Sequence, residues 1–162
     1  MAEANLYERD FAAWSIQQAE ALRAGARGGS NQVIDWHNLA EEIEDLGKSA
    51  RRELQSQIRR VVRHLLKLEH SPAKEPRRSW EESIVDARAE IEDLLEESPS
   101  LKAELDRDVK RQTQRGIDLA LKDLGRHHEI DAATIAALRA ASYTEEQVLG
   151  DWFPAEPPAE AK

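Results

Sequence analysis

The chain has 162 residues, 40% of them apolar and 34% charged, and its 32 acidic against 23 basic side chains give a net charge of -9. One domain of this length buries roughly two thirds of its unfolded surface, so a single core suffices. The acidic balance sets the surface against phosphate backbones and anionic headgroups, and the absence of cysteine removes disulfides, thiol chemistry and thiolate metal sites.

The first residues, Met1 to Phe11, form neither a basic leader nor an apolar signal core, and no stretch approaches a membrane span. A cytoplasmic protein without a membrane partner is the expectation. Tyr7, Phe11, Trp14, Gln18 and Leu22 recur at helical spacing, which predicts a helix from Leu6 to Ala24 that stops in the glycine-rich stretch Gly25 to Asn31. Asp35 then offers a cap to a second helix with the apolar stripe Leu39, Ile43, Leu46, Ala50, Leu54, Val61, Leu65 and Leu68. Gly47 interrupts this pattern, but the stripe keeps its phase, so a continuous or gently kinked helix is expected.

Pro72 and Pro76 mark a loop from Ser71 to Arg78, after which Ser79 and Glu82 read as the capping box of a third helix with Trp80, Ile84, Ala87, Ile91 and Leu94 on its inner face. Ser98 and Pro99 end it and open a fourth, carrying Leu101, Leu105, Val109, Ile117, Leu121 and Leu124 and finishing at Gly125. Short helices are expected after Asp131 and after a Thr144 to Gln147 capping box, with Trp152 and Phe153 anchoring the chain end. The prediction is an all-α bundle of about four main helices plus one or two short C-terminal ones, a single domain over residues 1–154 and a disordered tail over 155–162.

Several constellations could carry chemistry. His37, Glu41 and Asp45 share a face, with Glu42 and Glu44 alongside, but that face points away from the apolar stripe and reads as a solvated surface. Gln57 and His64 fall on the stripe itself, and Gln18 and Gln112 sit on stripes of their own, so neutral polar groups are expected inside or at the edge of the core. Glu42, Glu53, Arg60 and Lys67 line the edge of the long helix, with Arg88 one step off the stripe of the third, where opposite charges usually pair. A basic edge of Arg51, Arg52, Arg59, Arg60, Arg63 and Lys67, continued by Lys74, Arg77 and Arg78, is the one feature that favours nucleic acid, and it reads as a solvated face. Trp14, Trp36, Trp80 and Trp152 read as core anchors.

No phosphate-binding glycine loop, G-x-S-x-G, H-E-x-x-H or paired E-x-x-H pattern is present. Glu41, Glu42, Glu44 and Asp45 match half of the acidic motif of all-helical nucleotide pyrophosphatases, but Glu90 and Asp93, the next acidic pair of the right form, fit the required spacing badly. The segments LYERDFAAW, D-x-x-NLAEEIEDLG, RHLLK, SW-x-x-x-I-x-x-x-R and SPSL together resemble the bacterial family catalogued as domain of unknown function number twenty-nine, from Leu6 to Pro154. The pattern falls on Asp10, Trp14, Asp35, Asn38, Leu39, Glu42, Leu46, Gly47, His64, Lys67, Ser79, Trp80, Arg88, Pro99 and Leu101, while Ala132 to Ala141 departs from it. The resemblance implies an all-helical fold of bacterial origin and no known activity.

These readings favour a helical protein-interaction module that binds a protein partner or a second copy of itself, with no cofactor and no metal. Glu42, His64, Lys67, Trp80 and Arg88 are the residues expected to bind. The alternative is a small metal- or nucleotide-dependent hydrolase with its site among Glu42, Glu53, His64, Lys67 and Arg88. Glu42 and Glu53 stand about 16 Å apart by the helical rise, so a metal there would need a ligand from a facing helix.

Overall fold

A computed structural model describes residues 6–28, 34–126 and 130–156, and among them every regular element is helical. In chain order these are α1 (Leu6–Arg9), α2 (Phe11–Arg27), α3 (Trp36–His70), α4 (Arg77–Glu97), a 3-10 segment (Pro99–Glu104), α5 (Leu105–Arg126), α6 (Ala132–Ala140) and α7 (Glu145–Leu149). The all-α expectation holds, with α2 to α5 as the four main helices and α3 continuous through Gly47.

Local chemistry explains where the boundaries differ from expectation. The first helix divides at Asp10, whose extended backbone caps α2 and whose carboxylate accepts from the Ala13 amide at 2.8 Å. Helix α2 runs through Gly25 to Arg27 with Gly28 as its C-cap, and the rest of the expected loop, residues 29–31, lies outside the described residues. Ser79 is not a cap: Pro76 suits the first turn, its carbonyl accepts from the Trp80 amide at 3.0 Å, and α4 is under way by Arg77. After Pro99 the chain makes a 3-10 turn before α5 starts at Leu105. Asp131 and the Thr144–Gln147 capping box open α6 and α7 as expected. Of the tail expected to be disordered, residues 157–162 lie outside the described residues.

The chain forms two compact units, one of Met1–Leu54 with Glu92–Ala103, the other of Gln55–Ile91 with Glu104–Lys162. In the first unit α2 and α3 pack antiparallel, as Ser15 lies beside Gly47, Arg23 pairs with Glu44 and Gly25 faces Trp36. Their seam is built from small residues, because Ala12, Ser15, Ala19, Ala40 and Gly47 are the buried positions. A Cβ on Gly47 would come within 2.1 Å of the Ser15 hydroxyl and 3.2 Å of the Ala12 carbonyl oxygen. Leu39 and Leu46, expected to be core, are therefore 42% and 50% exposed. Each sits one residue, about 100° of helix rotation, from the seam residue that follows it. The Ser98 hydroxyl accepts from the Ala12 amide at 3.1 Å, and Asp10 holds the Ser100 hydroxyl at 2.9 Å, so the start of α2 is tied to the end of α4.

In the second unit α3 and α5 run in the same direction. Gln55 donates to Asp108 at 2.9 Å, Arg59 to Gln112 at 3.1 Å, and Val62 packs against Gly116, where a Cβ would meet its Cγ1 at 2.7 Å. Here the buried face is leucine-rich in the ordinary way: Ile58, Val61, Leu65, Leu66 and Leu68 of α3 meet the burial expected for Trp80, Ile84 and Ala87 of α4 and Val109, Ile117 and Leu124 of α5. Arg88 of α4 holds the C-terminal segment by donating to the carbonyls of Gln147, Val148 and Trp152 at 2.7 to 3.0 Å.

Alanine normally favours a helix over glycine by about 1 kcal/mol. Gly47→Ala is expected to do the opposite, lowering stability by about 1 to 3 kcal/mol in urea melts, because Ser15 must turn from its 2.8 Å bond to the Ala12 carbonyl or the helices must separate. The loss should shrink in a Ser15→Ala background. Gly125→Ala, with nothing within 4 Å of the added carbon, should be neutral or stabilising. Equal melts for Gly47→Ala and Gly125→Ala would contradict the seam.

Candidate functional site

Polar atoms of the second unit converge on a cleft of about 380 Å³ lined by Arg63, Lys67, Ala73, Pro76, Trp80, Asp123 and Leu124. Arg63 and Lys67 are four residues apart on α3 and so share a face, Trp80 comes from the first turn of α4, and Asp123 from the last turn of α5. The loop between α3 and α4 is fixed by Arg77, which donates to the Leu68 carbonyl at 2.9 Å, and it brings Ala73 and Pro76 to the rim.

Arg63 grips the Asp123 carboxylate with Nε at 2.7 Å and Nη2 at 2.8 Å. Lys67 Nζ lies 3.3 Å from the same carboxylate and 4.8 Å from the centre of the Trp80 ring. Burial works to raise the Asp123 carboxyl, but the Arg63 hydrogen bond and the charges of Lys67 and Arg63 outweigh it and hold the group below the ordinary carboxylate range. The same bond raises the Arg63 guanidinium. Two cations and one carboxylate thus share a largely sheltered site, with Lys67 and Asp123 side chains 13% and 16% exposed.

Of the residues expected from sequence, Lys67 and Trp80 meet here. His64 does not line the cleft; it is half-buried on α3, and its Nδ1 has no hydrogen-bond partner among the described residues. Arg88 is committed to three backbone carbonyls and to the Phe153 ring, 4.9 Å away, which takes its donors away from the hydrolase site expected to include it. Glu42 and Glu53 are exposed on the part of α3 in the first unit. His37 pairs with Glu41 at 3.2 Å on an exposed face, and among the described residues no three acidic or histidine side chains are grouped to hold a metal. The hydrolase reading draws no support from this arrangement. Asp123 was missed, although a carboxylate in the last turn of a helix opposes the helix dipole and signals cations nearby.

The basic edge is largely absorbed by internal partners. Arg59 binds Gln112, Arg60 binds Ser83, Arg63 and Lys67 bind Asp123, Arg77 binds a carbonyl and Arg78 binds Glu82.

A second feature belongs to the first unit. Because small residues occupy the α2–α3 seam, most of the larger apolar residues fall to one side of the pair, Tyr7, Phe11, Trp14 and Leu22 on the same side as Leu39, Ile43 and Leu46 of α3, while Ile16, 53% exposed, lies on the other. Tyr7 stands edge-on to Phe11 and Trp14 with centroids 5.8 and 4.9 Å away, and half of its surface is exposed. Phe11, Trp14, Leu22 and Ile43 are half-buried.

A family model described as Domain of unknown function DUF29 matches residues 6–153. The chain is similar to an alpha-helical protein of unknown function from Rhodospirillum rubrum, known from a crystal structure, at 26% identity and a TM-score of 0.71 over 93% of each chain. No curated protein matches it.

Burial first, then the charges of Lys67, Arg63 and Arg60, lower His64 from 6.5 to about 4. The unfolded chain therefore takes up this proton first as pH falls, so the stability that neutral His64 contributes is complete above about pH 6.5 and declines toward about pH 4. His70, also lowered by burial, adds a decline of the same sign, whereas Asp123 loses its contribution only at lower pH, below its ordinary value of 3.8. The urea midpoint of the wild type should fall between about pH 7 and 4.5 by more than that of His64→Gln. Identical declines would show that His64 titrates as a solvated group.

Proposed function

We propose that this chain, which belongs to the family described as Domain of unknown function DUF29, is a helical protein-interaction module whose binding face is the apolar side of the α2–α3 pair. The observation that carries the reading is that Tyr7, Phe11, Trp14, Leu39 and Leu46, which helix geometry places on one side of the pair, are left half-buried or exposed by a seam of glycine, alanine and serine. Apolar faces of this kind on a charged helical surface mark contact sites for other chains.

Charge decides between occupants. Acidic residues outnumber basic ones two to one in the unit that carries this face, whereas the two signs nearly balance in the other unit. A second copy would bring the same negative excess against it, and like charges across an interface oppose association. A basic amphipathic helix of another protein satisfies both the apolar face and the field around it. Its leucine-like anchors would lie against Leu39, Leu46 and the aromatic cluster, and its lysines or arginines toward the exposed carboxylates of α3 such as Glu42.

A synthetic amphipathic helix of leucine and lysine serves as the probe. Saturable binding to the intact chain is expected, at one peptide per chain, and Leu46→Glu should weaken it by about tenfold, the change that loss of about 1.4 kcal/mol produces. Attraction by charge alone would make that variant bind more tightly, so unchanged or tighter binding overturns the reading. A leucine–glutamate helix binding equally well would overturn it too. Sedimentation of the chain alone addresses the second copy: a dimer abolished by Leu46→Glu would replace the basic partner with self-association.

A further inference from the structure

The polar cleft of the second unit is independent of the apolar face, and its charge count is incomplete. Arg63 spends Nε and Nη2 on Asp123, leaving Nη1 without a hydrogen-bond partner among the described residues. Lys67 Nζ has three N–H donors, and Asp123 is its one carboxylate contact among the described residues. Both side chains line the open space of about 380 Å³. That volume falls in the range of small-molecule sites.

The other walls are apolar: Ala73 and Pro76 at the rim, Trp80, and Leu124 beside Asp123. Two cations against one carboxylate leave one positive charge to be balanced. A monoanion balances it; a phosphate dianion would place an excess of negative charge beside Asp123. His64 follows Arg63 on α3, and after burial, the main cause of its lowered value, the charges of Lys67, Arg63 and Arg60 outweigh Asp123 in opposing a further positive charge.

We propose that this cleft binds a small organic carboxylate, its oxygens accepting from Lys67 Nζ and Arg63 Nη1 and its compact apolar body resting against Pro76, Ala73 and Leu124. Lys67 is the main anchor because the Trp80 ring and Asp123 hold its ammonium in place before the ligand arrives. Asp123 has a double role: it organises the two cations and limits the site to one added negative charge.

Sodium benzoate is the probe, followed through the indole N–H signal of Trp80 in the intact chain, with sodium chloride at matched ionic strength as the control. A saturable benzoate shift is expected, weaker binding of acetate, which has the head without the body, and weaker binding of inorganic phosphate. Lys67→Met should weaken benzoate at least tenfold, and Asp123→Asn, which removes the competing carboxylate, should tighten it several-fold. If Lys67→Met fails to fold, Arg63→Gln, at a side chain 37% exposed, gives the same reading with a smaller loss. Shifts that chloride reproduces, or benzoate affinity unchanged in the cation variants, overturn the site. Phosphate binding more tightly than benzoate overturns the carboxylate assignment.

Discussion

The structure depends on how closely a neighbour can approach the backbone of α3. At Gly47 the approaching group is Ser15 of α2, and at Val62 it is the bare backbone of Gly116 in α5. Neither contact tolerates an added methyl without movement, so helix separation in each unit is set by the absence of a side chain. Where the contact is made only by glycine, alanine and serine, as in the first unit, the leucines and aromatic rings cannot share it. They are displaced from the seam, and Leu39 and Leu46 are left 42% and 50% exposed. In the second unit the glycine contact is flanked by Ile58, Val61, Leu65 and Leu66, and burial is conventional.

This division explains which expectations from sequence held. The period of the apolar residues identified every main helix and the continuity of α3, because period depends only on local backbone geometry. The capping residues Asp35, Asp131 and Thr144 were legible for the same reason: each satisfies amides within its own first turn. Phase was less secure. Ala40 and Gly47 follow Leu39 and Leu46 by one residue, and hydrophobicity alone selects the leucines as core, whereas close helix packing selects the small residues. Gly47 interrupts the apolar pattern in the sequence, and in the continuous α3 it is the point of closest contact with Ser15. Ser79 matched a capping pattern but lost to Pro76, whose ring already favours the first turn.

The candidate cleft was half legible. Lys67 and Trp80 were named from sequence, but pairing them required knowing that the loop after α3 folds α4 back onto it. Asp123 is far away in sequence and carries no motif; its place in the last turn of α5 was the available sign. Arg88 illustrates the opposite outcome. A semi-buried arginine near an apolar stripe suggests an anion site, yet here its donors go to the carbonyls of Gln147 and Val148 in the last turn of α7 and of Trp152 beyond it, groups that a helix end leaves open. Much of the basic edge likewise pairs within the chain: Arg59 with Gln112, Arg60 with Ser83, and Arg63 and Lys67 with Asp123 join one helix to another.

The small-residue seam of the first unit leaves Tyr7, Leu39 and Leu46 uncovered among the described residues. The direct measurement is the relaxation of assigned methyl signals by a soluble paramagnetic compound. Leu39 and Leu46 should relax as fast as surface methyls, while Leu54 and Leu65, which have no exposed surface, should be protected. Protection of Leu39 and Leu46 equal to that of Leu54 would mean that the chain covers these side chains itself and would contradict an open apolar face.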